Sequence, residues 1–231
     1  MADRLARAPG SGGLTSDRAR EHMVQTLRGL GIRHEAVLAA MSAVPRHLFV
    51  DQGLASRAYE DVALPIGQGQ TISKPSTVAK MIELLVRDRD PKSLRTAKVL
   101  EVGTGCGYQA AVLAHVFGEA VSIERLRWLH EAARTNIRPM RMPNLRLTFG
   151  DGRQGVEVAA PYDAIIVAAA GEDIPDPLLM QMKVGGTLIA PVASTDGANQ
   201  SLHLVERPSR DEWTLTVLDA VRFVPLRRGT N

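Results

Sequence analysis

Cysteine and aromatic residues are scarce in this chain of 231 residues, and each scarcity excludes a class of function. The single cysteine, Cys106, cannot form an internal disulfide, and the six histidines show no ligand-like spacing with it or with carboxylates, so we expect no metal site. Aromatic residues make up 4% of the chain, whereas a nucleic-acid surface favours basic residues interleaved with aromatic ones. The net charge of +3 therefore predicts a solvated surface and no nucleic-acid partner.

Long apolar runs are missing as well. No stretch approaches the roughly 18 consecutive apolar residues of a membrane span, and the N-terminal residues have no apolar centre of a signal peptide. We therefore expect a cytoplasmic protein without a membrane partner. With 45% hydrophobic residues the chain can form one complete core, which predicts a flexible N-terminus over residues 1–15 and a single domain over residues 16–231.

The residue patterns divide this domain into three parts. Residues 16–90 predict N-terminal helices, the first of them capped by Ser16, and a glycine-containing loop. Residues 91–192 alternate apolar strands with helices, which predicts a parallel sheet covered on both faces. Residues 193–231 alternate apolar and polar positions, which predicts a terminal antiparallel hairpin at the sheet edge. The predicted fold class is therefore α/β, with an N-terminal helical layer.

Three glycines follow the first predicted strand of the sheet. In the segment VLEVGTGCGY, Gly103, Gly105 and Gly107 stand between a buried strand and a helix. There the backbone can pass close to a ligand, and a helix N-terminus offers free N–H groups. A tight strand-to-helix turn also favours glycine, so this pattern alone is a weak signal.

Acidic residues after the next two strands strengthen the signal. Glu124 ends the second strand about 20 residues on, where a carboxylate accepts hydrogen bonds from both hydroxyls of a ribose. Asp151 follows the third strand, and with the N–H groups beside Gly152 it is placed to meet an adenine. The structural alternatives are a surface glutamate and a side-chain turn at Asp151.

The cofactor indicated by this arrangement is S-adenosylmethionine. The glycine spacing is G-x-G-x-G and not the G-x-G-x-x-G of dinucleotide enzymes, and too few residues follow Ala170 for a second mononucleotide half. S-adenosylmethionine needs only one such half. The glycine loop would lie under its methionine portion, Glu124 on its ribose and Asp151 on its base.

Seven segments resemble the protein-L-isoaspartate O-methyltransferase family over about residues 16–226. They are VPRHLFV, ALPIGQGQTISKP, VLEVGTGCGYQAAVLA, GDGRQG, PYDAIIVAAA, VGGTLIAPV and AVRFVPL. The GQTIS loop is much more specific to the family than the glycine loop. The resemblance implies a Rossmann-like methyltransferase fold. It also implies methyl transfer from S-adenosylmethionine to the α-carboxyl of L-isoaspartyl residues in damaged proteins, which starts their repair through a succinimide.

The resemblance also implies roles for individual residues. The loop over residues 66–73 would cover the methyl group, with Ser73 and Thr71 at the reacting centre and isoaspartyl peptides as partners. The implied acceptor-binding residues are Ile66, Gly67, Arg222, Val224, Pro225 and Leu226. Ser76 is an implied cofactor contact, although the family commonly has a bulky His or Tyr followed by Met after the loop proline.

Chemistry limits what these residues must do. An α-carboxyl group has a pKa of about 3.3 to 3.7, so the acceptor is already ionised near neutral pH and a general base would contribute almost nothing. We therefore expect Ser73 to orient the carboxylate, with capping of the following helix as the structural alternative. Lys74, where the family has a small or neutral residue, is expected to point to solvent. Cys106, which replaces a usual serine, is expected to be solvent-reachable and reactive because a helix N-terminus lowers the pKa of a thiol.

Two other functions remain open from the residues alone. A methyltransferase with another acceptor, such as a small metabolite or an RNA base, would share every cofactor feature and differ only in the loop and the terminal strands. A non-enzymatic adenosine-binding module would leave the GQTIS loop unexplained. No motif encodes the oligomeric state, and we expect a monomer.

Overall fold

The computed structural model describes residues 12–194 and 198–231, with side chains from residue 16 onward. Its N-terminal part is helical, as predicted, and consists of α1 (Gly12–Gly29), α2 (Glu35–Ala43), α3 (Pro75–Val86) and α4 (Pro91–Leu94). The predicted cap at Ser16 was wrong, since α1 begins at Gly12 and continues through Ser16. The Ser16 hydroxyl instead lies 3.2 Å from Nδ1 of His47, so it is engaged away from the helix backbone. Residues 1–11 of the predicted flexible N-terminus lie outside the described residues.

A seven-stranded sheet forms the centre of the described part of the chain. Its strands are β3 (Lys98–Val102), β4 (Glu119–Glu124), β5 (Leu145–Phe149), β6 (Tyr162–Val167), β7 (Met182–Ala193), β8 (Gln200–Ser209) and β9 (Glu212–Ala220). The spatial order is β5-β4-β3-β6-β7-β8-β9. The first five strands in this order are parallel to one another, whereas β8 pairs antiparallel with β7 and β9 pairs antiparallel with β8. The α/β fold class and the terminal antiparallel hairpin are confirmed.

Helices cover both faces of the sheet because its strands are apolar on both faces. The larger core joins one face to α1, α2, α3 and to α5 (Tyr108–Val116). The smaller core packs the other face against α7 (Asp176–Met180). The last covering helix is α6 (Arg127–Ile137), which lies beside β4 and β5.

The predicted loop before α3 forms a hairpin of two short antiparallel strands, β1 (Leu64–Gly67) and β2 (Gln70–Ile72). Gly67, Gln68 and Gly69 at its tip have φ angles of 90°, 53° and 67°, which lie in the left-handed region that glycine adopts most easily. The two ends are anchored, since Leu64 and Ile72 are buried.

The strand order places a crevice at the carboxyl ends of β3, β4 and β6. The chain passes from β3 to β4 on one side and later returns to β6 on the other side, so the order reverses at β3. Ligands of open α/β sheets bind at such a switch point.

Candidate active site

The loop after β3 and the end of β4 enclose a small cavity of about 70 Å³. Gly103 and Gly105 line it with left-handed φ angles of 96° and 55°. Glu124 is buried in its wall; Oε2 accepts a hydrogen bond from the Gly105 N–H (2.8 Å), and Oε1 accepts one from the Leu126 N–H (2.9 Å). The carboxylate therefore fixes the glycine loop to the start of α6, and the predicted ribose-binding residue lies beside the predicted glycines.

Gly107, the third predicted glycine, does not line this cavity. It precedes α5 with a φ of 93°, and a Cβ built on it would lie 2.7 Å from Cδ1 of Ile137. Glycine is needed here because α5 and α6 approach each other closely. The structure thus gives Gly107 a packing role and does not bring it to the predicted cofactor contact.

Asp151 and Gly152 follow β5 on the same edge of the sheet but do not line the cavity either. Asp151 Oδ1 accepts from the Arg153 N–H (2.9 Å), which is the side-chain turn considered as the alternative. Asp151 Oδ2 accepts from the Gly229 N–H (2.7 Å), so the C-terminal segment lies against this residue. Gly152 is buried, and a Cβ built on it would lie 2.5 Å from Cγ1 of Val102. The adenine contact stays a prediction.

A second and larger cleft of about 940 Å³ opens on the other side of the hairpin. Four residues line both the cleft and the small cavity: Thr71, Ser73, Ala168 and Val224. Ile66 lines the small cavity, and a Cβ built on Gly105 would lie 3.2 Å from its Cδ1. The hairpin therefore separates two compartments, and the two predicted catalytic hydroxyls stand at their junction.

Ser73 does not cap α3, so the capping alternative was wrong. The N-cap residue is Lys74, and the carboxylate of Asp61 accepts a backbone hydrogen bond from the first turn of the helix. Asp61 Oδ1 accepts from the Ser76 N–H (2.7 Å), and Oδ2 accepts from the Ser76 hydroxyl (2.8 Å). Ser76 lines the larger cleft, and the structure does not bring it to the glycine loop. Its predicted cofactor contact receives no geometric support.

Lys74 is half exposed, as expected for a residue that points to solvent. Its Nζ lies 3.9 Å from Oδ2 of Asp61, and the residue also lines the cleft. A carboxylate therefore accompanies the cation that is closest in sequence to Ser73.

Of the predicted acceptor-binding residues, Ile66 lines the small cavity and Gly67 lines neither compartment, whereas the four C-terminal ones divide into two groups. Arg222 and Val224 line the cleft. Pro225 and Leu226 lie beyond it, because Pro225 pairs with Ala170 and the Leu226 N–H donates to the Ala170 carbonyl (2.7 Å). They anchor the segment that carries the other two.

Cys106 corrects the sequence prediction. The thiol is buried, and burial raises its pKa to about 11. Desolvation of the thiolate therefore outweighs the effect of the following helix N-terminus, and Cys106 is not the reactive, solvent-reachable residue that was expected.

A model of the family described as protein-L-isoaspartate(D-aspartate) O-methyltransferase matches residues 18–231. The chain belongs to this family. Proteins named protein-L-isoaspartate O-methyltransferase from Ralstonia nicotianae and Burkholderia cenocepacia are each 56% identical to it over 95% of its length, and the matches cover 72% and 69% of those proteins. Membership of the protein-L-isoaspartate methyltransferases confirms the predicted activity on L-isoaspartyl residues and S-adenosylmethionine as methyl donor.

Solved structures of the same family share the fold. One protein-L-isoaspartate O-methyltransferase superposes with a TM-score of 0.80 at 29% identity, covering 89% of this chain and 65% of its own. A structure from Plasmodium falciparum, described as a putative member in complex with S-adenosyl-L-homocysteine, has a TM-score of 0.78 at 22% identity. It covers 90% of this chain. Both confirm the Rossmann-like arrangement with its helical additions.

The residues of this protein-L-isoaspartate methyltransferase fit S-adenosylmethionine. A carboxylate offers about four acceptor positions, and the two backbone N–H groups leave acceptor capacity on Glu124 for a pair of hydroxyls. Gly103 and Gly105 have left-handed φ angles, which favour glycine, and because glycine has no side chain the cavity wall exposes bare backbone there. Within residues 12–194 and 198–231, no three His, Cys, Asp or Glu residues are grouped to hold a metal ion, and no described helix is long and apolar enough to cross a membrane.

Two buried polar residues were missed by sequence reasoning. Arg46, from the VPRHLFV segment, is completely buried, and its Nη2 donates to the carbonyl of Ser73 (2.7 Å). Glu101, on β3, accepts from the hydroxyl of Ser122, which lies 2.5 Å from the hydroxyl of Thr104 in the glycine loop. Burial raises the pKa of Glu101 to about 8. The available signal was that Glu101 interrupts the apolar strand VLEV and that Arg46 lies in a mostly apolar segment.

Proposed function

We propose that this protein-L-isoaspartate methyltransferase carries out its reaction at the junction of the two compartments, with Ser73 and Thr71 holding the acceptor carboxylate. The observation that carries the proposal is that both residues line the acceptor-sized cleft and the cavity beside the glycine loop. A peptide in the cleft would reach the methyl donor through this junction. Placement of two reactants in one geometry can contribute roughly 7 to 11 kcal/mol of the barrier reduction.

The site suits an acceptor that is already charged. An α-carboxylate needs no proton removed near neutral pH, so a general base has no task. Among the described residues that line either compartment, none is a histidine. Hydroxyl groups such as those of Ser73 and Thr71 donate hydrogen bonds to a carboxylate without neutralising it, which leaves its oxygen nucleophilic.

Three basic residues and two acidic residues line the cleft, which leaves a small positive excess that favours an anionic peptide. Lys80 and Arg222 line the cleft and attract an acidic acceptor. Lys74, which would stabilise the carboxylate before reaction if it lay against it, is half exposed and lies near Asp61 instead.

The cofactor half of the site is held by the glycine loop and by Glu124. When bound, S-adenosylmethionine supplies an activated methyl group on a sulfonium sulfur. Glu124 is fixed by the N–H groups of Gly105 and Leu126, so its orientation is set before any ligand binds. The cofactor contacts proposed for four further residues have less support, since none of these residues lines the small cavity: Gly107, Asp151, Gly152 and Ser76.

Methylation converts the acceptor carboxylate into an ester, from which the neighbouring backbone nitrogen can displace methanol to form a succinimide without the enzyme. Hydrolysis of the ring then returns part of the chain to a normal aspartyl linkage. We also propose that the protein acts as a cytoplasmic monomer and binds no nucleic acid, in keeping with its single cysteine and its low aromatic content.

The experiment is transfer of labelled methyl from S-adenosylmethionine to an isoaspartyl peptide, with its normal aspartyl twin as the matched control. We expect labelling of the isoaspartyl peptide alone. Labelling of both peptides or of neither would contradict the proposal, and labelling of a small metabolite or RNA in their place would favour another acceptor.

A further inference from the structure

The tip of the hairpin rests on a tryptophan that the mechanism has not used. Trp128 lies in the first turn of α6, and its side chain is 55% exposed. A Cβ built on Gly67 would lie 3.0 Å from Cη2 and 3.1 Å from Cζ3 of Trp128, whereas one built on Gly69 would meet nothing within 4 Å. The indole edge is therefore packed against the bare backbone of the hairpin at Gly67.

The first turn of α6 holds Trp128 in a fixed place. The Leu126 N–H donates to Oε1 of Glu124 (2.9 Å), and the Arg127 N–H donates to the carbonyl of Asn231 (2.8 Å). The guanidinium of Arg127 also lies 4.2 Å from the ring centroid of Phe149. The indole is thus carried by a helix whose N-cap residue, Leu126, is hydrogen-bonded to Glu124, the proposed ribose-binding residue at the end of β4.

The space beneath the hairpin is too small for a cofactor, and displacement of the hairpin would enlarge it. The cavity beneath it measures about 70 Å³, whereas pockets for ligands of this size measure roughly 300 to 1,000 Å³. The ends of the hairpin at Leu64 and Ile72 are buried, so displacement is confined to the part nearer the tip. That part includes Gly67 and its contact with Trp128.

We propose that Trp128 is a positioning residue that latches the hairpin in its closed position. The proposal rests on the proposed function, because Thr71 belongs to β2 and lies between the tip and the buried Ile72, so the latch would set the position of its hydroxyl. A contact made only in the closed state shifts the population toward that state. A Cβ at position 67 would press on the indole, which would have to shift by a few tenths of an ångström, and glycine there permits the close approach.

The test is a double-mutant cycle between Trp128 and Gly67, followed by the dissociation rate of labelled S-adenosylhomocysteine chased with unlabelled ligand. Trp128→Ala is expected to accelerate dissociation about tenfold, equivalent to about 1.4 kcal/mol, and to lower kcat. Trp128→Phe should restore most of both values. Gly67→Ala should accelerate dissociation less in the Trp128→Ala background, because the tight contact with the indole is gone while the backbone strain at position 67 is common to both backgrounds.

Three controls distinguish a role of Trp128 in closing the hairpin from a role in stability alone, and from a failure of the proposed function. Val158→Ala, which truncates a side chain that is 93% exposed, should change neither rate. The melting temperature of Trp128→Ala should match that of the unmodified protein. If the alanine variant folds poorly, the same rates are measured on Trp128→Leu instead. Additive effects in the cycle, or dissociation within twofold of the unmodified protein, would overturn the proposal. The dissociation rate is measured without peptide, so it remains informative even if the isoaspartyl peptide is not methylated.

Discussion

Arg46 donates a hydrogen bond from Nη2 to the main-chain carbonyl of Ser73, over 2.7 Å. The guanidinium is completely buried, its Nε donates to the carbonyl of Ala58 (2.8 Å), and its Cζ lies 4.7 Å from the ring centroid of Tyr108. Ser73 is therefore held from beneath by a buried cation that belongs to the VPRHLFV segment. The backbone position of the proposed acceptor-binding residue depends on a residue 27 positions earlier in the chain.

Arg46→Met should lower both stability and turnover. The substitution leaves the carbonyls of Ser73 and Ala58 without this donor, and the buried Ala58 carbonyl alone should cost about 1 to 3 kcal/mol. Urea unfolding should report the loss of stability, and kcat measured well below the melting temperature should fall because Ser73 is released. Arg46→Lys, which keeps the charge but loses the planar donors, should lie between. Full turnover in folded Arg46→Met would show that Ser73 needs no support from Arg46.

Glu124→Gln should weaken binding of S-adenosylhomocysteine by about 1.5 to 3 kcal/mol, since hydrogen bonds to charged groups have about that strength. Glutamine keeps one oxygen for one of the two backbone N–H groups, whereas the other N–H loses its acceptor, so part of the loss would arise from the glycine loop or from the start of α6. Glu119→Gln is the matched control, because Glu119 begins the same strand and Glu124 ends it. Calorimetry is the measurement. Equal affinities for the two variants would show that Glu124 does not bind the ribose.

Glu101 should make stability fall as pH rises. Its pKa is about 8 in the folded protein and near 4.3 when unfolded, so between these values the folded state binds more protons. The contribution is fully present below about pH 4.3 and is lost as pH rises through about 8, with a slope of at most about 1.4 kcal/mol per pH unit. Urea unfolding across this window should show Glu101→Gln gaining on the unmodified protein as pH rises. Parallel profiles would mean that Glu101 is ionised in the folded state throughout.

Cys106 should react slowly with iodoacetamide in the native protein and fast after denaturation in guanidinium. The reason is that burial raises the pKa of the thiol to about 11, which leaves almost no thiolate near neutral pH. Mass spectrometry of the labelled peptide gives both rates. Equal rates in the two states would show that the thiol reaches solvent in the folded protein.

Local patterns predicted those parts of the fold and site that depend on neighbours in sequence. The alternation of apolar and polar residues predicted β8 and β9. The glycines after β3 and Glu124 at the end of β4 predicted one wall of the cavity. These features follow from periodicity and turn chemistry within short segments.

Contacts between distant segments account for what the sequence did not predict. Gly107 is required by Ile137, and Asp151 receives the Gly229 N–H from 78 residues away. The environment of Cys106 was misjudged because a helix N-terminus is visible in sequence, whereas the burial that outweighs it is contributed by the whole fold. No spacing rule connects such positions.

The most direct test of the proposed mechanism is the turnover of Ser73→Ala with an isoaspartyl peptide, measured together with its affinity for S-adenosylhomocysteine and its melting temperature. If the hydroxyl orients a charged carboxylate, kcat should fall about tenfold to a hundredfold, in line with about 1.5 to 3 kcal/mol for a hydrogen bond to a charged group. Affinity and melting temperature should stay nearly unchanged, because α3 is capped through Lys74 and Asp61, and Ser73→Thr should keep more activity than Ser73→Ala. Full turnover in Ser73→Ala would contradict the account and leave Thr71 or the hairpin backbone to hold the acceptor.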